Sequence, residues 1–289
     1  MRAVSNSPLR KGTHHTKGDI IMSSFFSSLT KKSATKKLLC LAGAAMLTVG
    51  LLGGCGSDTS SGEPQKVLRV GSETTFPPFE FTEGDTYVGF DIDLADALAK
   101  KMGYKMEFKS MGFDALIPAL QSNDIDMIAA GINATPERAK AVIFSEPYFK
   151  EGGFIVVTRK DNTTINGMKD LEGKRIVTQI GTIPTDMAKK IPNTTVKEVD
   201  SNSQIFNELN AGTADATILD NAVAMYYLKQ GADKELRLAG TPTDPEGTVW
   251  AFRKSDTELR DKANKALEEL KKDGTYQKIY EKWFGAQKK

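Results

Sequence analysis

The sequence predicts an α/β fold, and three observations carry that prediction. From Val67 onward, short β-branched or alternating runs take turns with longer runs of helical period. Several helical runs are closed by glycine, as at Gly212, Gly231 and Gly274. No internal repeat and no later low-complexity stretch interrupts the alternation. Strands alternating with helices argue for parallel sheets.

Taken in order, residues 68–71 form a short strand candidate. Residues 91–102 read as a helix. Leu94, Leu98 and Met102 recur four apart, and Asp91 and Asp93 lie near the start, where the helix dipole favours acids. Residues 105–109 alternate as a strand. Asp114 is expected to cap a helix running to about Gln121, and 126–131 is an apolar strand ending in glycine. A longer β-branched run covers 153–159. Residues 175–179 form a strand, and Pro184 opens the helix after it, a position proline favours. Residues 196–199 and 216–219 are strands, each followed by a helix, at 203–211 and 221–230. A strand at 248–253 and helices at 257–272 and 276–283 close the pattern. Ligands of such folds sit at the carboxyl ends of strands. That directs attention to Ser72-Glu73-Thr74, Gly131-Ile132-Asn133, residues 179–182 and Leu219-Asp220.

Lys31, Lys32, Lys36 and Lys37 precede an uncharged apolar run at 38–52, which ends in Leu52-Gly53-Gly54-Cys55. A basic region, a short apolar core and small residues before a cut site make a secretory signal. Small residues before a cysteine make it the lipoprotein type, with Cys55 acylated as the new N-terminus. A transmembrane anchor is the alternative, but the run falls short of the ~20 residues a spanning helix needs. Residues 1–21 are polar, and Met22 is the expected start. Residues 1–54 are then a signal region. Residues 55–66, rich in Ser, Gly, Asp and Pro, are a flexible tether.

Cleavage changes the composition that matters. Residues 1–54 hold eight of the 39 basic and one of the 37 acidic residues, which leaves 31 against 36, a net charge of −5. A mildly acidic chain has no electrostatic case for binding nucleic acid. Both histidines, His14 and His15, precede the cut. Their loss excludes Ser-His-Asp and Cys-His nucleophiles and most zinc sites. Cys55 would be the only mature cysteine, so no intramolecular disulfide is expected, nor any metal or cofactor. About 235 residues remain, enough for one large or two medium domains.

Four segments carry a family resemblance: residues 71–81 (GSETTFPPFEF), 88–94 (VGFDIDL), 131–138 (GINATPER), and Asp273-Gly274-Thr275-Tyr276 with Trp283-Phe284-Gly285. In this order and spacing the chain resembles the polar amino-acid solute-binding proteins of ABC importers, such as the glutamine-binding and lysine/arginine/ornithine-binding proteins, over about 67–285. The resemblance implies a two-lobed periplasmic-binding-protein fold with two crossing hinge strands, near 152–155 and 247–251, and a ligand cleft between the lobes. Lobe one would hold 67–154 and 248–289, and lobe two 155–247. With the lipid anchor expected at Cys55, the chain would be a monomer on the extracytoplasmic face of the cell membrane. Its partners would be a free amino acid and the importer's permease subunits.

A free amino acid carries a carboxylate and an ammonium, and burying either uncompensated is expensive. Arg138 matches the family's carboxylate partner, and its planar fork suits two oxygens; on local sequence alone it reads as a surface arginine at a helix start. Asp220 ends a strand where a carboxylate could take the ammonium, and it could also cap the following helix. Gly131 and Asn133 match a loop that offers backbone and side-chain groups to the ligand, with Asn133 replacing the usual hydroxyl residue. Thr182 offers an N–H and a hydroxyl at a helix start; Ile183 replaces a small residue common in relatives. Phe76 and Phe113 match aromatics that sandwich the ligand side chain, with core packing as the plainer role. Glu73 stands where relatives place an acid that reads the far end of the ligand, and Gln179 stands where the glutamine binder has a lysine. Leu219 replaces that binder's histidine. The pocket therefore reads as one for a basic amino acid or glutamine. A secreted cyclohexadienyl dehydratase-like enzyme on the same fold is the alternative from another class, with Glu73 as its general acid. A receptor's sensor domain would need a membrane span after residue 285, which the sequence does not contain.

Overall fold

The structure, a computed structural model, describes residues 65–244 and 247–286; the expected signal region, Cys55 and most of the tether lie outside the described residues. The first part of the chain forms β1 (Val67–Ser72), β2 (Thr75–Phe76), β3 (Glu80–Glu83), β4 (Thr86–Val88), α1 (Phe90–Lys101), β5 (Lys105–Ser110), α2 (Leu116–Gln121), β6 (Met127–Ile128), α3 (Pro136–Ala139) and β7 (Val142–Phe144). The middle forms β8 (Phe154–Arg159), β9 (Arg175–Gln179), α4 (Ile183–Lys189), β10 (Thr195–Val199), α5 (Asn202–Asn210), β11 (Ala216–Asp220), α6 (Asn221–Lys229) and β12 (Leu236–Ala239). Then come β13 (Ala251–Arg253), α7 (Thr257–Lys272) and α8 (Thr275–Phe284).

Two five-stranded sheets result, in the orders β5-β1-β6-β13-β7 and β10-β9-β11-β8-β12. A small third sheet is β2-β3-β4. The sheets are mixed rather than all parallel. β1 runs parallel to β5 and β6, and β9 runs parallel to β10 and β11. β13 and β8 run against them. The physical reason lies in where the chain passes from one sheet to the other. Phe154 opens β8 opposite Asp220, the last residue of β11, and Ala251 opens β13 opposite Ile128, the last residue of β6. A chain that enters a sheet at the carboxyl edge of its parallel strands can only run backward along them.

Several elements differ from the sequence expectation. The runs at 126–131 and 248–253 contribute strands of two and three residues. Their neighbours leave the sheet, and Thr248 instead makes isolated bridges to Asn133 and Phe149. Asp114 caps nothing: it lies inside a 3-10 turn over Phe113–Ala115, and no side chain caps that turn or α2. β2, β4, β7 and β12, all of two to four residues, were too short to show a period of two.

The C-terminal helices complete the first sheet's core. Phe284 packs against Phe79, Phe90 and Phe149 at centroid distances of 5.4, 5.2 and 5.0 Å. The Trp283 indole N–H donates to Asp93 Oδ2 at 2.7 Å, and the Tyr276 hydroxyl donates to the Tyr148 carbonyl at 2.6 Å. Asp126 ties three strands of this sheet together, accepting from Arg69 Nη2 at 2.7 Å and Arg253 Nη2 at 2.9 Å. Burial works against its charge, but the two guanidiniums hold its carboxyl down to about 2.

The two segments that cross between the sheets are fastened to each other. Phe154 N–H donates to Thr243 Oγ1, and Thr243 N–H donates to the Phe154 carbonyl, both at 2.9 Å. Gly153 makes this approach with φ at 59°, and a Cβ there would lie 1.9 Å from the Thr243 carbonyl oxygen. Gly84 has the same φ of 59° with no atom within 4 Å of such a Cβ. Gly84→Ala should therefore cost about 1 kcal/mol, from left-handed strain alone. Gly153→Ala should cost at least ~1–2 kcal/mol more, because the crossing segments must also separate. Chemical denaturation of the two variants side by side tests this, and equal losses would rule out the clash.

Candidate functional site

The carboxyl ends of the parallel strands in both sheets border one cleft. All nine residues singled out from the sequence line it: Glu73, Phe76, Phe113, Gly131, Asn133, Arg138, Gln179, Thr182 and Asp220. Glu80, Asn202, Phe154 and Ile183 line it as well and were not picked out as ligand contacts.

Arg138 lies on the short helix α3, whose start is fixed by Thr135: its Oγ1 accepts from the Arg138 N–H, and Pro136 follows at the first turn. The guanidinium donates to the Asn133 carbonyl at 2.9 Å and, across the cleft, to the Gly181 carbonyl at 3.0 Å. It also lies over the Phe113 ring, 5.2 Å from the centroid. These contacts hold the fork in one orientation. Arg138 is the only basic side chain lining the cleft among the described residues.

Asp220 occupies the position before α6, yet its side chain makes no capping hydrogen bond to that helix. The capping role that the sequence left open as its alternative is therefore absent. Thr182 does cap α4, accepting from Thr185 N–H at 3.4 Å, while its hydroxyl donates to the Gln179 carbonyl at 2.7 Å. That hydroxyl proton is committed within the protein. Gly131 holds φ at 59°, and a Cβ there would fall 2.6 Å from the Phe76 ring. The missing side chain lets the ring lie flat against the loop. Phe76 in turn stacks on Phe79 at 5.4 Å. Asn133 Nδ2 donates to the Gly247 carbonyl at 3.4 Å.

Glu73 is buried and sits in a network that joins the two sheets. Thr75 Oγ1 donates to Glu73 Oε1 at 2.6 Å and accepts from Asn202 N–H, on the other side, at 3.0 Å. Asn202 Nδ2 donates to Gln179 Oε1 at 3.0 Å, and Gln179 in turn hydrogen-bonds Glu73. Burial pushes the Glu73 carboxyl up, and these donors pull it partly back. Asp91, fully buried at the start of α1, accepts at Oδ2 from Gly131 N–H at 3.0 Å and from the Tyr148 hydroxyl. Burial, opposed by those two bonds, pushes its carboxyl from 3.8 up to about 6. Asp91 thus fixes the Gly131 loop from behind.

Glu80 is the residue that sequence reasoning missed. It is 0% exposed, lines the cleft, and neither carboxyl oxygen has a hydrogen-bond partner among the described residues. The available signal was its setting in Phe79-Glu80-Phe81, an acid inside an aromatic strand.

Two α/β lobes, joined by paired crossing segments around a cleft that presents both charges, define a solute-binding protein. The chain belongs to the bacterial extracellular solute-binding proteins, family 3, whose pattern it matches over residues 68–286. It is 40% identical over 258 residues to the arginine-binding extracellular protein ArtP of Bacillus subtilis (strain 168), an alignment covering 88% of this chain and all of ArtP. An ancestral arginine-binding protein bound to arginine superposes with a TM-score of 0.74 at 49% identity, over 76% of this chain and 99% of that one. The ancestral arginine-binding protein bound to glutamine matches with the same TM-score and identity, over 78% and 100%. The family is one of binding proteins, so the chain is a binding protein and not an enzyme, and its place is outside the cytoplasm.

Asp91 makes the stability of this framework pH-dependent. Its folded pKa of about 6 lies above the ordinary 3.8. Between these values the folded protein keeps a proton that the unfolded chain gives up, so stability falls as pH rises through the window. Asp91→Asn retains an acceptor and removes the titration. Unfolding free energies from pH 4 to pH 6.5 should show wild type losing ~2 kcal/mol relative to the variant. Parallel pH profiles would mean that Asp91 is ionised in the fold at every pH tested.

Proposed function

We propose that the chain captures a free amino acid outside the cytoplasmic membrane and hands it to the permease subunits of an ABC importer. The ligand is a basic amino acid or glutamine. One observation carries this reading: an oriented arginine, Arg138, and a carboxylate, Asp220, line the same cleft at the carboxyl edges of both sheets. An α-carboxylate fits the guanidinium fork, and an α-ammonium fits the strand-end carboxylate. Phe76 and Phe113 supply apolar faces for the side chain between them. Glu73 and the neutral Gln179 disfavour an acidic ligand and tolerate a cation. The arginine-binding relative and the ancestral arginine-binding proteins bound to arginine and to glutamine support the same ligand class.

In this reading the lobes divide as 67–154 with 248–289, against 155–247. The protein works as a monomer held by lipid at Cys55 to the extracytoplasmic face of the cell membrane, with 55–66 as the tether. Support for the anchor is the basic, apolar and small-residue order ending at Cys55.

A thermal-shift screen across the amino acids tests the ligand class. A ligand at ~100 times its Kd should add about 2.7 kcal/mol of stability. Arg138→Ala should lower the affinity of every amino-acid ligand by at least ~100-fold, since a charge-assisted pair in a closed cleft is lost. A calorimetric loss under about fivefold would remove Arg138 from the site. Asp220→Asn should weaken ligands with a free α-amino group more than N-acylated ones. Cys55→Ala should leave the chain without acyl groups, as retained precursor or in the medium. Mass spectrometry finding the wild type unacylated, with its mature N-terminus elsewhere, would overturn the anchor.

A further inference from the structure

The acid set around the cleft is uneven in one respect that the capture reading leaves unused. Glu73 is already served by Thr75 and Gln179, and Asp91 by Gly131 and Tyr148. Glu80 has no hydrogen-bond partner among the described residues, although both its oxygens are buried. Its position follows from strand geometry. Glu80 pairs directly opposite Phe76 across the β2–β3 ladder, and opposed residues of an antiparallel pair share a face. Phe76 faces the cleft, so Glu80 lies beside the ring on the cleft side. Phe81, the next residue, points the other way, onto Tyr226 and Trp283.

We infer that Glu80 stands uncharged in the unliganded cleft and becomes the counter-ion of a cationic ligand side chain, so that binding of a basic amino acid expels one proton to solvent while binding of glutamine expels none. The inference rests on the capture reading and deepens it. The step balances simply: the Glu80 carboxyl O–H breaks, the proton goes to solvent, and the carboxylate pairs with the incoming guanidinium or ammonium.

The surroundings make the uncharged state the resting one. Three acids face Glu80 from three elements: Asp91 from α1, Glu73 from the end of β1, and Asp220 from the end of β11. Tyr148, also facing it, commits its hydroxyl to Asp91. Arg138, the one base in the lining, lies on α3 with its fork on the Asn133 and Gly181 carbonyls. Burial pushes the Glu80 carboxyl well above the ordinary range, and Asp91, Glu73 and Asp220 push it further. A carboxylate there without a cation would be a buried unpaired charge. A ligand cation reverses the balance, because a charge pair excluded from water is strong once both partners are present.

Linkage fixes the sign. The Glu80 carboxyl falls on binding a cation, so affinity for a basic amino acid rises with pH up to the resting value and is flat above it. Affinity for glutamine does not follow that curve.

The experiment is calorimetry of the mature protein with L-arginine, L-lysine and L-glutamine at pH 6, in two buffers of different ionisation enthalpy. The inference expects about one proton released with arginine or lysine and fewer than about 0.2 with glutamine. Glu80→Gln, nearly isosteric, should abolish the release. It should also weaken arginine at least ~30-fold and lower the arginine-to-glutamine affinity ratio at least ~10-fold. Glu73→Gln should keep most of the release. Arginine binding without proton release in the wild type overturns the inference whether or not the variant folds. So does an equal loss for arginine and glutamine in Glu80→Gln, which would mark a structural role. In either case amino-acid capture itself still stands. Failure of all twenty amino acids to bind would bring down the capture reading, and this inference with it.

Discussion

Among the described residues, four carboxylates surround a cleft whose lining contains one guanidinium, and most of the local structure answers to that imbalance. A buried charge must be paired, hydrogen-bonded or neutralised by a proton. Each acid here takes a different route. Asp91 draws on a backbone N–H and a tyrosine hydroxyl. Glu73 draws on Thr75 and Gln179. Asp220 keeps to the rim, partly exposed at a strand end, and Glu80 is left with its own proton. The loop at Gly131, the short helix bearing Arg138 and the start of α5 at Asn202 are all held by groups that satisfy or flank these acids.

The same arrangement explains why the chain crosses between sheets where it does. The crossing segments enter at the carboxyl edges of the parallel strands, because those edges border the cleft. Entry there forces β8 and β13 to run backward, which makes both sheets mixed. It also keeps the chain short at the crossing. Two segments paired through Phe154 and Thr243 then form the link between regions that each have their own sheet. Gly153 meets the close approach by lacking a side chain.

Much of this was legible in the sequence, and the limits have physical causes. The longer strands and helices were readable because packing on one side imposes a period, as Leu94 and Leu98 show in α1. Strands of two to four residues cannot show a period, so β2 and β7 were invisible. The sheet directions were misjudged because alternation of elements says nothing about which edge the chain enters. For the site, Arg138 was picked out through the family motif, since local sequence alone offered a surface arginine, and Asp220 through its place at the end of a strand. Glu80 was missed because its meaning depends on pairing with Phe76 across a hairpin too short to recognise. The engagement of Glu73 was equally hidden, since Asn202 lies 127 positions from the Thr75 it bonds.

The bonds that span the cleft differ in kind from those that build each lobe. Asn202 to Thr75, Tyr227 hydroxyl to the Thr75 carbonyl, and Arg138 to the Gly181 carbonyl are single hydrogen bonds, each with at least one partly exposed partner. Each can be exchanged for a bond to water, so each contributes only about 1 kcal/mol net. Inside each lobe the elements are held by buried apolar residues, such as Phe90 and Leu94 on one side and Ile176 and Ala216 on the other, which water cannot replace. In the proposed reading, the balance between a closed and an open cleft would be set by weak, exchangeable contacts, while the lobes stay intact. In that reading, a ligand that joins Arg138 to Asp220 would add charge-assisted bonds of larger size to the closed side alone. It shifts the balance by its differential affinity, which is all that a binding protein needs in order to present one shape empty and another when loaded.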